Sequence, residues 1–361
     1  MTADAIGGVW RYALDLAGAL PAFGWEARLA VLGPPPSLAQ EAEALRRTGA
    51  APLRLDAPLD WEAGGAEALA RGRAAIRAAA VAIGADLVQI DQPAYAGGAR
   101  TLAVPVVAVA HSCVSTWWRA VRGEAPPEGW RWHAEAVRAG LSEADAALAP
   151  SRAFADALRA AYPGIPTPEV VANGTAIPVR APRAKRPVVL AAGRLWDEAK
   201  GLAILDAAAG RGLSWPVLAL GATRGPGGER AEPAALRALG HVEAEEAERL
   251  LGEAAIFASP ALYEPFGLAA MEAGARGAAL VLSDLPSFRE IWGEAALYVP
   301  PRDPAALHAA LARLIDDEPE RRHLGAAARE RAARFPLART AEATAALYHR
   351  LLDARPMRGA A

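Results

Sequence analysis

Short apolar runs recur along the chain at 27–32, 87–90 and 104–110, and again at 188–192, 217–220, 255–259 and 278–282, with Ala-rich stretches of helical composition between them. A run this short suits a strand buried on both faces, and an intervening helix is the crossover that a parallel neighbour requires. The pattern therefore predicts an α/β fold built on doubly wound parallel sheets. At 361 residues the chain exceeds one ordinary core, and with 53% apolar residues it can bury two. Between the two sets of runs, 178–187 reads Pro-Val-Arg-Ala-Pro-Arg-Ala-Lys-Arg-Pro, which favours neither helix nor sheet. The expected division is a first domain at 1–178, a linker at 179–187, a second domain at 188–335 and a helical C-terminal segment at 336–361.

Residues 260–272 read Pro-Ala-Leu-Tyr-Glu-Pro-Phe-Gly-Leu-Ala-Ala-Met-Glu. They follow the apolar run 255–259, and from Leu268 the composition is helical, so Glu264 is placed on a strand-to-helix loop. Backbone N–H groups at Phe266, Gly267 and Leu268 would point out of the helix N-terminus, where they and the helix dipole favour a phosphate. Glu272, one or two turns in, could accept hydrogen bonds from two neighbouring ribose hydroxyls. A second loop, 193–202, reads Gly-Arg-Leu-Trp-Asp-Glu-Ala-Lys-Gly-Leu after the run 188–192. Arg194 offers a planar fork and Lys200 a compact point charge, a combination that suits a diphosphate.

Taken with Gly274, Gly277, Ser283-Asp284, Pro286-Ser287 and Glu290, segment 260–272 resembles the donor-binding signature of family 4 of the retaining glycosyltransferases, the glycosyl transferases of group 1. Further marks are Ala149-Pro150-Ser151-Arg152, Val171-Ala172-Asn173-Gly174 and Leu239-Gly240-His241-Val242, which carry the resemblance over nearly the whole chain. It implies the GT-B fold, two Rossmann-like domains facing across a cleft, with the C-terminal segment returning to the first domain. It also implies a nucleotide diphosphate sugar as donor and a saccharide, lipid-linked or small-molecule hydroxyl as acceptor, with no metal and no cofactor. In this reading Arg194, Lys200 and the amides at 266–268 take the diphosphate, Glu272 the ribose, and Glu264 the neighbourhood of the donor sugar. Gly240 would border the base. One residue more separates Arg194 from Lys200 than in the commoner family pattern.

The first domain carries three features that bear on function. Gly7-Gly8, ahead of an amphipathic stretch at 12–20, resembles the family's first glycine loop, where the backbone at Gly8 approaches bound substrates. A strand should precede it, and only six residues do, so most of that strand is expected to be missing from a truncated or mis-started product. His111 follows the run 104–110 at the carboxyl end of a parallel strand, where open sheets place ligand contacts. The family has a histidine at a similar place facing the donor sugar, and His111 is expected to act there by hydrogen bonding rather than as a base. Residues 117–133 hold four of the ten tryptophans. Trp117, Trp118 and Arg119 could form an acceptor pocket or a membrane-facing patch, or the aromatics could be buried as a cover over the domain.

Charge and cysteine usage narrow the class. A net charge of −2 without a dense basic run argues against nucleic acid. The single cysteine, Cys113, excludes an internal disulfide and suits a reducing cytoplasm, and there is no apolar stretch of membrane-spanning length or basic-then-apolar leader. The expected location is the cytoplasm, with attachment to the inner membrane face left open and the oligomeric state unassigned. A GT-B sugar-nucleotide epimerase and a non-catalytic nucleotide-sugar-binding protein remain alternatives. A nicotinamide dehydrogenase is disfavoured, because the full Gly-x-Gly-x-x-Gly fingerprint is absent.

Overall fold

The computed structural model describes residues 1–177 and 184–354. It divides into one unit formed by Met1–Gly174 with the described residues from Leu337, and a second formed by Thr175–Pro336.

In the first unit the strands are β1 (Thr2–Asp4), β2 (Ala30–Leu32), β3 (Leu53–Arg54), β4 (Val88–Ile90), β5 (Val106–Val109), β6 (Ala146–Ala149) and β7 (Glu169–Val170). They form two ladders, β1-β2-β3 and β4-β5-β6-β7, with every pairing parallel. Thr2 ties one ladder to the other. Its hydroxyl accepts from the Asp91 amide at 2.8 Å and donates to Gln92 Oε1 at 3.0 Å. Strand order therefore reverses between β1 and β4, which makes the carboxyl ends of these two strands a topological switch point. The helix Leu337–Asp353 belongs to this unit, where Ala341, Ala345, Leu347 and Tyr348 share one core with Tyr12, Leu16, Leu20, Val107 and Val109. Full burial of each leucine in that cluster contributes about 1.5–3 kcal/mol.

The second unit holds β8 (Arg186–Ala192), β9 (Val217–Leu220), β10 (Arg237–Gly240), β11 (Ala254–Ser259), β12 (Ala279–Ser283) and β13 (Leu297–Val299) in the order β10-β9-β8-β11-β12-β13, all parallel. Its switch point lies between β8 and β11. Val189, Ala191, Ile256, Ala258, Ala279 and Val281 face one core shared with Leu205, Leu307 and Leu311 from the covering helices. Such strands read as continuous apolar runs because both faces are covered. Residues 178–183 of the expected linker lie outside the described residues. Its other end needs correction, since Arg186 and Pro187 open β8. Proline is tolerated at the start of a strand, and here the register with β11 shifts between Ala254, opposite Arg186, and Ile256, opposite Val189.

Candidate functional site

The loop after β8 is folded by its own side chains. Asp197 caps the short 3₁₀ turn Glu198–Lys200, its Oδ1 accepting from the Ala199 amide at 3.0 Å, while its Oδ2 accepts from Arg194 Nη2 at 2.9 Å. The Arg194 guanidinium lies 5.5 Å from the centre of the Trp196 ring. The loop after β11 docks on this turn, with the Leu262 amide donating to the Ala199 carbonyl at 2.8 Å. That contact brings Lys200 Nζ to 2.8 Å from Glu264 Oε2. Their side chains are 21% and 18% exposed, dry enough to hold the pair and open enough for a ligand to reach it. The Glu264 carbonyl accepts from Ser287 Oγ, which fixes the loop from the β12 side.

The helix Leu268–Ala275 starts from Gly267, whose φ of +95° makes the turn. The amides of Leu268, Ala269 and Ala270 form its first turn, and the first intrahelical bond runs from the Met271 amide to the Gly267 carbonyl at 2.9 Å. The amides without an intrahelical partner are those of the cap Gly267 and of Leu268, Ala269 and Ala270, and Phe266, just ahead of the cap, has its side chain buried edge-on to Phe335. Glu272 is half-buried at the beginning of the second turn. Gly240 ends β10 with φ +70° and accepts from the Gly221 amide at 2.8 Å, at the far edge of the sheet from Glu264. Arg194, Lys200, Glu264 and the helix start are therefore gathered at the switch point, and Gly240 stands apart from them.

The first unit gathers a different set. Gly8 opens the helix Gly8–Ala19 directly after β1, with Gly7 as its cap. His111 follows β5, and its Nε2 is 2.9 Å from Asp91 Oδ1 beyond β4, while Tyr12 packs edge-on at 4.4 Å between ring centres. Burial, and then the negative charge of Asp91, push the Tyr12 hydroxyl well above its ordinary range, so it stays protonated. Asp91 was not anticipated from sequence, although the polar Asp91-Gln92 pair directly after an apolar strand was a usable signal. Trp117 and Trp118 lie half-buried on the helix Val114–Arg122, with the exposed Arg122 guanidinium 5.5 and 5.9 Å from their rings and Arg119 exposed alongside. Among the described residues no group of three or more His, Cys, Asp or Glu side chains could hold a metal ion, and no helix is long and apolar enough to cross a membrane.

Comparison with known proteins finds two family models on the chain: Glycosyltransferase Family 4 over residues 6–177 and Glycosyl transferases group 1 over residues 229–331. The chain is 38% identical over 117 residues to a glycogen synthase of Mycobacterium tuberculosis, a match covering 32% of this chain and 28% of the relative. It is 35% identical over 159 residues to a phosphatidyl-myo-inositol mannosyltransferase of Mycolicibacterium smegmatis, covering 41% of each. The chain thus spans little more than a quarter of the glycogen synthase and well under half of the mannosyltransferase. Similarity to solved structures is far more extensive. The sucrose-phosphate synthase of Thermosynechococcus elongatus aligns over 98% of this chain and 99% of its own at TM-score 0.80 and 22% identity. HepE of Anabaena, solved with UDP and glucose, aligns over 97% and 99% at TM-score 0.72 and 17% identity. The fold is GT-B.

Proposed function

The chain belongs to the group 1 glycosyltransferases of family 4, and on that premise we propose that it moves a sugar from a nucleotide diphosphate sugar to an acceptor hydroxyl with retention at the anomeric carbon, without a metal. The Lys200–Glu264 pair at the β8/β11 switch point carries this reading. A lysine already 2.8 Å from a carboxylate keeps two further N–H donors for phosphate oxygens, and the amides of Leu268, Ala269 and Ala270 add the positive end of a helix dipole. Together with the Arg194 fork they would stabilise charge on the departing diphosphate, the task a metal performs elsewhere. In the transfer, the bond from the anomeric carbon to the diphosphate oxygen breaks with its electrons leaving on the phosphate. The acceptor oxygen then bonds on the same face, and its proton passes to the departing phosphate oxygen. Glu264 orients the donor sugar, Glu272 holds the ribose, His111 serves by hydrogen bonding, and the surface near Trp117, Trp118 and Arg119 is assigned to the acceptor. A cytoplasmic protein fits such a donor.

The test is a thermal-shift series with UDP, GDP, ADP, TDP and NAD, followed by transfer assays with the matching sugar nucleotides. Uridine is the first base to try, because HepE is solved with UDP-glucose. A ligand at a hundredfold excess over Kd adds about 2.7 kcal/mol of stability. A shift with one nucleoside diphosphate and an α-configured product from an α-configured donor supports the proposal. Consumption of the donor without an acceptor would replace it with an epimerase, and binding without turnover with a non-catalytic binder.

A further inference from the structure

Behind His111 runs a line of buried polar groups that the proposed function does not use. The Asp91 carboxylate is fully buried, and its Oδ1 meets both His111 Nε2 at 2.9 Å and Gln89 Nε2 at 3.0 Å. Its Oδ2 lies 3.2 Å from the same Gln89 nitrogen. The Gln89 amide is oriented at its other end by Tyr348, on the helix Leu337–Asp353, whose hydroxyl donates to Gln89 Oε1. The Asp91 backbone is held in turn by Thr2 of β1. Every group in this line is buried except the imidazole, whose side chain is 11% exposed.

A carboxylate only accepts, so each partner of Asp91 must donate. Which nitrogen of a histidine carries the proton is set by the bond the other nitrogen makes. We propose that Asp91 is the positioning residue of His111: backed by Gln89 and Tyr348, it fixes the ring as the Nε2–H tautomer, so that Nδ1 meets the substrate as a hydrogen-bond acceptor. The ligand group this recognises is a donor, a sugar or acceptor hydroxyl, and not a phosphate oxygen. Because Tyr348 comes from the C-terminal helix, that helix sets the orientation of a side chain at the site as well as covering the core. The substrate half of this inference rests on the glycosyltransferase reading, whereas the tautomer does not.

The ring nitrogens of His111 report the tautomer directly. In full-length protein labelled with ¹⁵N-histidine and observed at pH 8, with His111→Asn used to assign the signal, the expected spectrum has a protonated Nε2 and an unprotonated Nδ1. A proton on Nδ1, as the neutral tautomer or as imidazolium, overturns the proposal. Asp91→Ala should lower kcat about tenfold or more with a smaller change in the donor KM, as the loss of one buried charged hydrogen bond predicts. Tyr348→Phe, which removes a single oxygen, should give a smaller loss of the same kind and serves where Asp91→Ala fails to fold. Wild-type kcat in both variants overturns the positioning role even if transfer is established. A protonated Nε2 in a protein that transfers no sugar leaves the tautomer standing and removes the reading it was built on.

Discussion

Gly201 offers the sharpest test of how the second unit holds its site. It closes the turn after β8 with φ +67°, and a Cβ placed there would stand 2.1 Å from the Pro260 carbonyl oxygen. The obstacle is backbone, so no side chain can swing aside, and in Gly201→Ala the two loops must part by roughly 1 Å to reach ordinary contact. The left-handed backbone costs an alanine about 1–2 kcal/mol. Separation stretches the 2.8 Å bond from the Leu262 amide to the Ala199 carbonyl, a loss of about 1 kcal/mol, and it carries Lys200 away from Glu264. The sum, about 2–3 kcal/mol, should lower the Tm of a unit this size by about 4–12 °C. Gly212→Ala is the internal control, since Gly212 has φ +91° with nothing within 4 Å of its added Cβ, and it should show the backbone cost alone. Scanning calorimetry of both variants, paired with nucleoside diphosphate titrations, separates the two costs. Equal losses of Tm in the two variants, or nucleotide affinity in Gly201→Ala unchanged from wild type, would refute the claim that contact between these loops builds the site.

Other consequences can be measured alongside. Lys200→Ala should depress turnover while Glu272→Ala weakens donor affinity, and steady-state kinetics that match wild type in both would remove the donor assignment. Asp206 accepts from the amides of Ala234, Ala235 and Leu236 at 3.0, 2.8 and 3.0 Å. Burial raises its carboxyl pKa, but these three donors together outweigh that and hold it below the ordinary range. The resulting stability is present above the ordinary carboxylate pKa and is lost as pH falls through the depressed value, so Asp206→Ala, at a site where solvent screens the charge, should cost about 1 kcal/mol at pH 7 and converge with wild type in acid unfolding curves. Burial, and then the positive charge of Arg276, lower Lys185 from 10.5 to about 8. The folded state therefore bears an uncomfortable charge below pH 8 and sheds it between 8 and 10.5, where the unfolded chain is still protonated. Any stability that Lys185→Met gains over wild type at pH 7 should shrink across that interval, and a constant difference in chemical denaturation from pH 7 to 10.5 would count against the burial.

The second sheet was legible because four of its strands are covered on both faces and so read as unbroken apolar runs. β9 spans the expected residues, and the helix Leu268–Ala275 begins where the composition turned helical. Strands β3 and β7 are only two residues long, and neither has a fully buried residue, so no apolar run announces them. Likewise β10 reads Arg-Ala-Leu-Gly at the edge of its sheet, where one side needs no partner. Glu264 and Lys200 could be named in advance because the loops that carry them, 260–272 and 193–202, each follow an apolar run and lie within the stretch that resembles the family. Asp91 could not be matched to His111 in the same way: the two lie on loops after neighbouring strands, twenty residues apart, and only the parallel pairing of β4 with β5 brings them side by side. Between Arg194 and Lys200 the chain is wound into a 3₁₀ turn capped by Asp197, and Lys200 at its end lies 2.8 Å from Glu264.

The place where the chain leaves the first unit is also where it returns. Gly174 lies against Leu337, so close that a Cβ on the glycine would sit 2.7 Å from the Leu337 Cα, and Thr340 donates to the Ala172 carbonyl at 2.8 Å. One residue further on, the Thr175 amide donates to the Phe335 carbonyl at 2.9 Å and Thr175 forms a parallel bridge with Pro336. Topologically, Thr175–Pro336 is a cassette inserted into a host whose cut ends already touch, the arrangement in which domain insertion is best tolerated. Splicing Gly174 to Leu337 would leave the host sheet, its closing helix and the Tyr348–Gln89–Asp91–His111 line covalently continuous. The cassette, held at both ends by the Thr175–Pro336 bridge, would keep its own six strands in one piece.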